Sequence, residues 1–253
     1  MSNDDVATQL QKLGFRVSLP ALRAFFEHTT KSRIGPLEVC EKLVEMERRE
    51  RESRNLIART NLATLGKFVT LDHFDWNHPR SIDRGLYEHL HASLDFIARG
   101  ENVLLRGQSG VGKTTLAQNL GFAALARGYS VRFTSLAAML TDLLRRESLP
   151  ALERCLRHRY LAPSLLLIDE VGYLPCDSRS ADLLYNIISR RHESKSTVIT
   201  TNLAFKQWGT VFPGAASVVA LVDRFAQHCH VIDIDADSPW RQKSQAPSSK
   251  KAK

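Results

Sequence analysis

Residues 107–115, GQSGVGKTT, fit the pattern G-x-x-x-x-G-K-[ST], with Gly107, Gly112, Lys113 and Thr114 in the defining places. An apolar run, NVLLR (102–106), precedes them, and a helix-forming stretch, TTLAQNLGFAALARG, follows. A loop of this composition works as the turn from a buried strand into a helix. Its glycines let backbone amides converge on phosphate oxygens, and the helix N-terminus adds partial positive charge. Lys113 then reaches the β and γ phosphates, and Thr114 offers a hydroxyl to Mg²⁺. The run commits the surrounding chain to an α/β sheet with a phosphate-binding edge. It makes Gly107, Gln108, Ser109, Gly110, Val111, Gly112, Lys113, Thr114 and Thr115 the candidate nucleotide contacts.

From Leu71 to Asp235 strand and helix signals alternate, as in a parallel sheet. Five strands are predicted: NVLLR, SVRFT (130–134), SLLLI (164–168), STVIT (196–200) and HVIDI (230–234). Between them, Leu136, Met139, Leu140, Leu143 and Leu144 form one helical stripe, and Leu183, Leu184, Ile187 and Ile188 another, both facing a core. The third strand continues as LLLIDEVGYLP (165–175), setting Asp169 and Glu170 at its mouth. With a triphosphate nearby, two acids divide the work: Asp169 holds Mg²⁺ through its water shell, and Glu170 polarises the attacking water. Without one they are a solvated turn. One further strand lies between Lys113 and Asp169. That spacing groups the chain with P-loop ATPases having an added central strand and a catalytic glutamate, away from most nucleotide kinases and GTPases. The fourth strand ends in Thr200, Thr201 and Asn202; Asn202 either meets the γ-phosphate or its water, or simply forms a turn. Arg224, in VVALVDRFAQH, is a surface charge or an arginine finger for a neighbour's site, and Arg241, in DSPWRQK, is a further candidate for the γ-phosphate in cis or trans. Phe74 and Trp76, in LDHFDW, pack under the sheet or lie beside an adenine.

Residues 1–67 read as a helical domain, 68–237 as the ATPase domain and 238–253 as a basic, disordered tail. Ser18 is the expected cap of one N-terminal helix, with Pro20 in its first turn, and a second helix follows Gly35-Pro36. The 35 Lys and Arg against 27 Asp and Glu give +8, which favours an anionic partner, nucleic acid first. The candidate contacts are Arg48, Arg49, Arg51, Arg54, Arg59, Lys67, Arg145, Arg146 and Arg179. They supply charge without a base-reading motif, so backbone and shape recognition is expected. Four cysteines without a C-x-x-C pair suggest neither a disulfide framework nor a zinc ribbon. Alternation sends His228 and His230 to one face and Cys229 to the other, a poor metal geometry. No signal sequence or membrane span is read, so a cytoplasmic protein is expected.

The phosphate loop, LLLIDEVGYLP, VITTNLAFKQWGTVF, LVDRF and DSPWR together resemble the IstB family, the ATP-binding helper proteins of insertion sequences, over nearly the whole chain. The resemblance implies an AAA+ ATPase with a five-stranded parallel sheet, strand order 5-1-4-3-2, and ATP and Mg²⁺ as cofactors. It implies that the protein forms a homo-oligomer, a ring or filament, on double-stranded DNA, binds a cognate transposase, selects the target site and stimulates insertion. By the same resemblance 107–115 are Walker A, Asp169 and Glu170 Walker B, Asn202 sensor 1, Arg224 the arginine finger and Arg241 a sensor-2-like arginine. The 19 residues after Ile234 are too few for the helical lid of many AAA+ proteins. The relatives nearest to that family, the DnaC helicase loaders, give the rival reading, and a small-molecule kinase a more distant one.

Overall fold

Leu104, Leu166 and Val198, the middles of three predicted strands, are fully buried. The computed structural model describes residues 3–32, 34–173, 177–212 and 216–236; Arg241 and the basic tail lie outside the described residues. Contacts divide the chain into two compact units, residues 1–59 and 60–253.

The smaller unit holds α1 (Asn3–Lys12), α2 (Leu19–Lys31) and most of α3 (Pro36–Ala63). Ala7, Val17 and Leu22 form its core, and Phe26, Leu43 and Met46 pack against them. Ser18 sits at the N-cap of α2 but its side chain makes no capping bond. Pro20 at the second helical position has removed one of the amides a cap bonds to. Instead the Glu47 carboxylate gathers the loop, accepting from the amides of Arg16 (2.7 Å) and Val17 (3.1 Å) and from Arg51 Nε.

In the larger unit the chain passes through β1 (Ser81–Ile82), α4 (Arg84–Ser93), the one-turn α5 (Asp95–Ala98), β2 (Asn102–Gly107), α6 (Lys113–Ala126), β3 (Val131–Ser135), α7 (Leu136–Leu144) and α8 (Leu149–Cys155). A π-helical turn over Leu156–Leu161 leads to β4 (Leu165–Val171), α9 (Ser178–Arg191), β5 (Ser196–Thr201), the one-turn α10 (Trp208–Val211), α11 (Ser217–Ala226) and β6 (Cys229–Asp235). The sheet order is β1-β6-β2-β5-β4-β3. Strands β6-β2-β5-β4-β3 reproduce the expected order 5-1-4-3-2, all parallel. The expectation of five strands is corrected by β1, which pairs antiparallel with β6 through Ser81 and Ile82. Two residues carry no periodicity, and their role is to cover an edge that β6 would otherwise present.

Alternation fixes what each face meets. Leu166, Ile168 and Ile199 join a core with residues of α7, α9 and α11, while Leu167 points the other way, against Gly121 of α6. At the sheet's N-terminal end Arg191, the last residue of α9, is 1% exposed. It donates to the carbonyls of Tyr160 (2.9 Å), Pro163 (2.9 Å), Ser164 (3.3 Å) and Ser196 (2.6 Å) and to Thr197 Oγ1 (3.1 Å). Burial pulls its pKa down to about 9. This one guanidinium fastens the starts of β4 and β5, the strands whose far ends carry the acids and the polar triplet. Replacing it strands several acceptors at about 1–3 kcal/mol each. Arg191→Met is therefore expected to lower the unfolding free energy by at least about 3 kcal/mol in urea titration; a loss below about 1 kcal/mol would remove Arg191 from this role.

Candidate nucleotide site

Gly107 ends β2 beside Ile234 of β6, so close that a Cβ would lie 2.1 Å from the Ile234 carbonyl oxygen. The chain then turns through Gly110 (φ +81°) and Gly112 (φ +95°) into α6. A Cβ on Gly112 would also come within 2.7 Å of the Phe74 ring. Phe74 thus covers the loop, in edge contact with Trp76 (4.9 Å between centroids), which in turn meets the buried Tyr87 (5.7 Å). Tyr87 donates to the Leu116 carbonyl at 3.0 Å, anchoring this aromatic ladder to α6.

Lys113 Nζ donates to the carbonyls of Gly107 (2.8 Å) and Gln108 (2.7 Å). Burial pushes its pKa down, opposed by the carboxylates of Asp169 and Glu170. Thr114 Oγ1 lies 3.0 Å from both oxygens of Asp169, which is 7% exposed, and Thr200 Oγ1 also donates to Asp169. Beside it Glu170 adopts φ +61°, and its amide donates to Thr200 Oγ1 at 3.0 Å.

Lys113, Thr114, Glu170 and Thr200 line a cleft of about 390 Å³. Its walls come from Ser109–Thr115, from Glu170 and Val171 at the end of β4 with Tyr173 beyond it, and from Thr200, Thr201 and Asn202 at the end of β5. Its remaining wall is Val69, His73, Phe74, Asp75 and His78. Thr114 and Asp169 present hard oxygen donors, the kind Mg²⁺ selects. Set side by side by their hydrogen bond, a hydroxyl and a carboxylate of this kind fit that ion.

Of the residues singled out in the sequence, the structure brings together the loop, Lys113, Thr114, Asp169, Glu170 and Asn202. Gly107 and Gln108 do not line the cleft; their carbonyls hold Lys113. Arg224 does not line it; the half-buried side chain lies over the Tyr185 ring at 5.8 Å. Thr200 was placed at the end of its strand, but its contact with Asp169 was not legible, because it depends on the pairing of β4 with β5. The 69–78 wall was missed as a whole, although the Phe74 alternative beside a nucleotide pointed to it.

The basic candidates separate. Arg48 and Arg49 pair with Glu45, Arg51 with Glu47, and Arg54 with Glu50. Arg51 and Arg54 also donate to the carbonyls of Gly14 and Arg16. Spacing of four between Glu and Arg was the available signal. Arg146 joins Arg159, Tyr160 and Cys155 around Asp142. Burial works against that carboxylate, yet these partners hold its pKa at about 2. Lys67, Arg145 and Arg179 are exposed and outside these networks.

A family model described as IstB-like ATP binding protein matches residues 8–248. The putative ATP-binding protein of insertion sequence IS5376 from Geobacillus stearothermophilus is 33% identical over 227 residues, 88% of this chain and 90% of that protein. Among solved structures, the replication initiator DnaA bound to AMPPCP and single-stranded DNA superposes with a TM-score of 0.57 at 22% identity, covering 71% of this chain and 54% of that one. The DnaC helicase loader superposes with a TM-score of 0.51 at 20% identity, covering 66% and 96%. These two likenesses show the α/β P-loop fold.

Gly112→Ala meets both a positive φ and the Phe74 ring, and is expected to weaken binding of a fluorescent ATP analogue at least about tenfold, since strain at such a site costs about 1–3 kcal/mol. Adding Phe74→Ala should restore only part of the affinity. Full recovery would mean that crowding alone, and not the backbone, requires the glycine.

Proposed function

The chain belongs to the IstB-like ATP binding protein family, and we propose that it is a Mg²⁺-dependent ATPase that assembles on double-stranded DNA as a homo-oligomer and serves a cognate transposase, selecting the target site and stimulating insertion. The observation that carries the nucleotide half of this reading is the convergence of Lys113, Thr114, Asp169, Glu170 and Asn202 on one sheet edge. Lys113 binds the β and γ phosphates. Thr114 and Asp169 would hold Mg²⁺, which when bound neutralises charge on the phosphate oxygens. Glu170, facing the cleft, orients and polarises the attacking water, and Asn202 responds to the γ-phosphate. Arg224 lies away from its own cleft, which supports a role as an arginine finger in a neighbouring subunit's site. Arg241 is assigned to the γ-phosphate as a sensor-2-like arginine.

For DNA, the family and the charge of +8 support phosphate contacts. Lys67, Arg145 and Arg179 are the foremost candidates. Arg48, Arg49, Arg51, Arg54, Arg59 and Arg146 remain secondary ones. Residues 1–67 are assigned to partner choice. Exposed Leu13, Leu37 and Val44 of the smaller unit support this, since a helical surface of that kind suits a protein partner. A pull-down with the full chain that recovers transposase upholds the helper reading; recovery of a replicative helicase alone would give it to a loader.

Lys113→Ala is expected to abolish ATP binding and, with it, nucleotide-dependent assembly on DNA in sedimentation; unchanged oligomers would separate assembly from nucleotide. Glu170→Gln should bind ATP normally and release phosphate at least about a hundredfold more slowly, the scale of a lost general base. Undiminished turnover would take Glu170 out of its role. When Arg224→Ala and Lys113→Ala subunits are mixed, some activity should return, because one composite site in the mixture has both faces intact. No recovery at any ratio would place the arginine in cis or outside catalysis.

A further inference from the structure

Neighbouring residues of a regular strand point to opposite faces of a sheet, yet Asp169 and Glu170 both serve one edge. The pairing of β4 with β5 explains how. Ile168 is opposite Ile199 and Val171 is opposite Thr201, so the two acids together face the single residue Thr200. This is a bulge, which bends the bulged strand and re-aims its side chains. Glu170 accommodates it at φ +61°, a conformation that costs a residue with a Cβ. Something must hold it there.

Thr200 is 2% exposed, so water cannot substitute for its hydroxyl. The Glu170 amide can only donate, so in that 3.0 Å contact Thr200 Oγ1 is the acceptor. Its single proton is then left for Asp169 Oδ1, with which it makes a short contact. We propose that Thr200 is a positioning residue whose one hydroxyl fixes the metal-facing carboxylate of Asp169 and, at the same time, the backbone turn that aims Glu170 into the cleft. Thr200 needs to touch neither nucleotide nor water to do so. The proposal rests on the ATPase reading of the site, and its test separates the two.

Full-length wild type, Thr200→Ser and Thr200→Val are titrated with Mg²⁺ at fixed mant-ATP, and phosphate release is measured at saturating Mg-ATP. Thr200→Ser keeps the hydroxyl and should stay within about twofold of wild type in both. Thr200→Val keeps the shape and should need about tenfold or more Mg²⁺ for half-saturation, with kcat down about 10–100-fold, the range found when a group orienting a metal ligand is lost. Its KM for ATP should move by less than about threefold, because the phosphate loop is untouched. If Thr200→Val coincides with wild type in both measurements, Thr200 has no positioning role and the ATPase reading stands. If wild type binds mant-ATP but releases no phosphate, the hydrolysis reading falls. The Mg²⁺ titration then decides alone: a shift in Thr200→Val and not in Thr200→Ser upholds the proposal, and superimposable curves overturn it. Should Thr200→Val not fold, Thr200→Cys takes its place, its thiol a poor donor and acceptor. A Mg²⁺ curve equal to that of Thr200→Ser would then overturn the proposal.

Discussion

Asp169 is buried at the mouth of β4 and is reached by two hydroxyls, Thr114 Oγ1 from the start of α6 and Thr200 Oγ1 from β5. A buried carboxylate is costly unless such partners satisfy it. Here its partners come from two elements, α6 and β5, which this bonding keeps in register at one end of the sheet. The phosphate loop contributes Thr114, the strand after the acids contributes Thr200, and Glu170 is tied in through its own amide. Moving any one of these elements breaks a bond to the same small group of atoms. The geometry of the cleft is therefore set by hydrogen bonding among α6, β4 and β5 more than by the shape of its walls.

The opposite end of the sheet is fixed by similar means but with different chemistry. Arg191 holds the segments entering β4 and β5 through backbone carbonyls, with no carboxylate among its partners in the described residues. Between these polar ends lie the aliphatic runs of β4 and β5, packed on α6 from one side and on α7, α9 and α11 from the other. A sheet clamped at one end and closely packed along its length transmits little slack to the other. That rigidity is what permits a strained residue such as Glu170 to keep one conformation.

Much of this was legible in the chain because its signals are local. The phosphate loop, the aliphatic strands and the striped helices need only a window of ten or so residues, and the order of the sheet followed from the family they resemble. What stayed hidden depends on pairing. Asp169 and Glu170 were readable as a pair, but not the bulge that lets adjacent residues act at one edge, since it exists only relative to Ile199 and Thr201. Phe74 could be read as core or as cleft; its contact with Gly112 decides for the cleft. Strand β1 was too short to leave a pattern. The arginines of α3 were read as charge for DNA, while their spacing from Glu45, Glu47 and Glu50 also allowed the ladder the structure contains.

In the proposed function the loop, the acid pair and the β5 terminus form one Mg-ATP site. Its most direct test is a structure of the full chain determined with AMPPNP and Mg²⁺. Lys113 Nζ should then have moved from the Gly107 and Gln108 carbonyls to phosphate oxygens, with Mg²⁺ density beside Thr114 and Asp169 and Thr200 still bonded to Asp169 and to the Glu170 amide. Triphosphate bound elsewhere, or bound in the cleft with the metal away from Thr114 and Asp169, would contradict it.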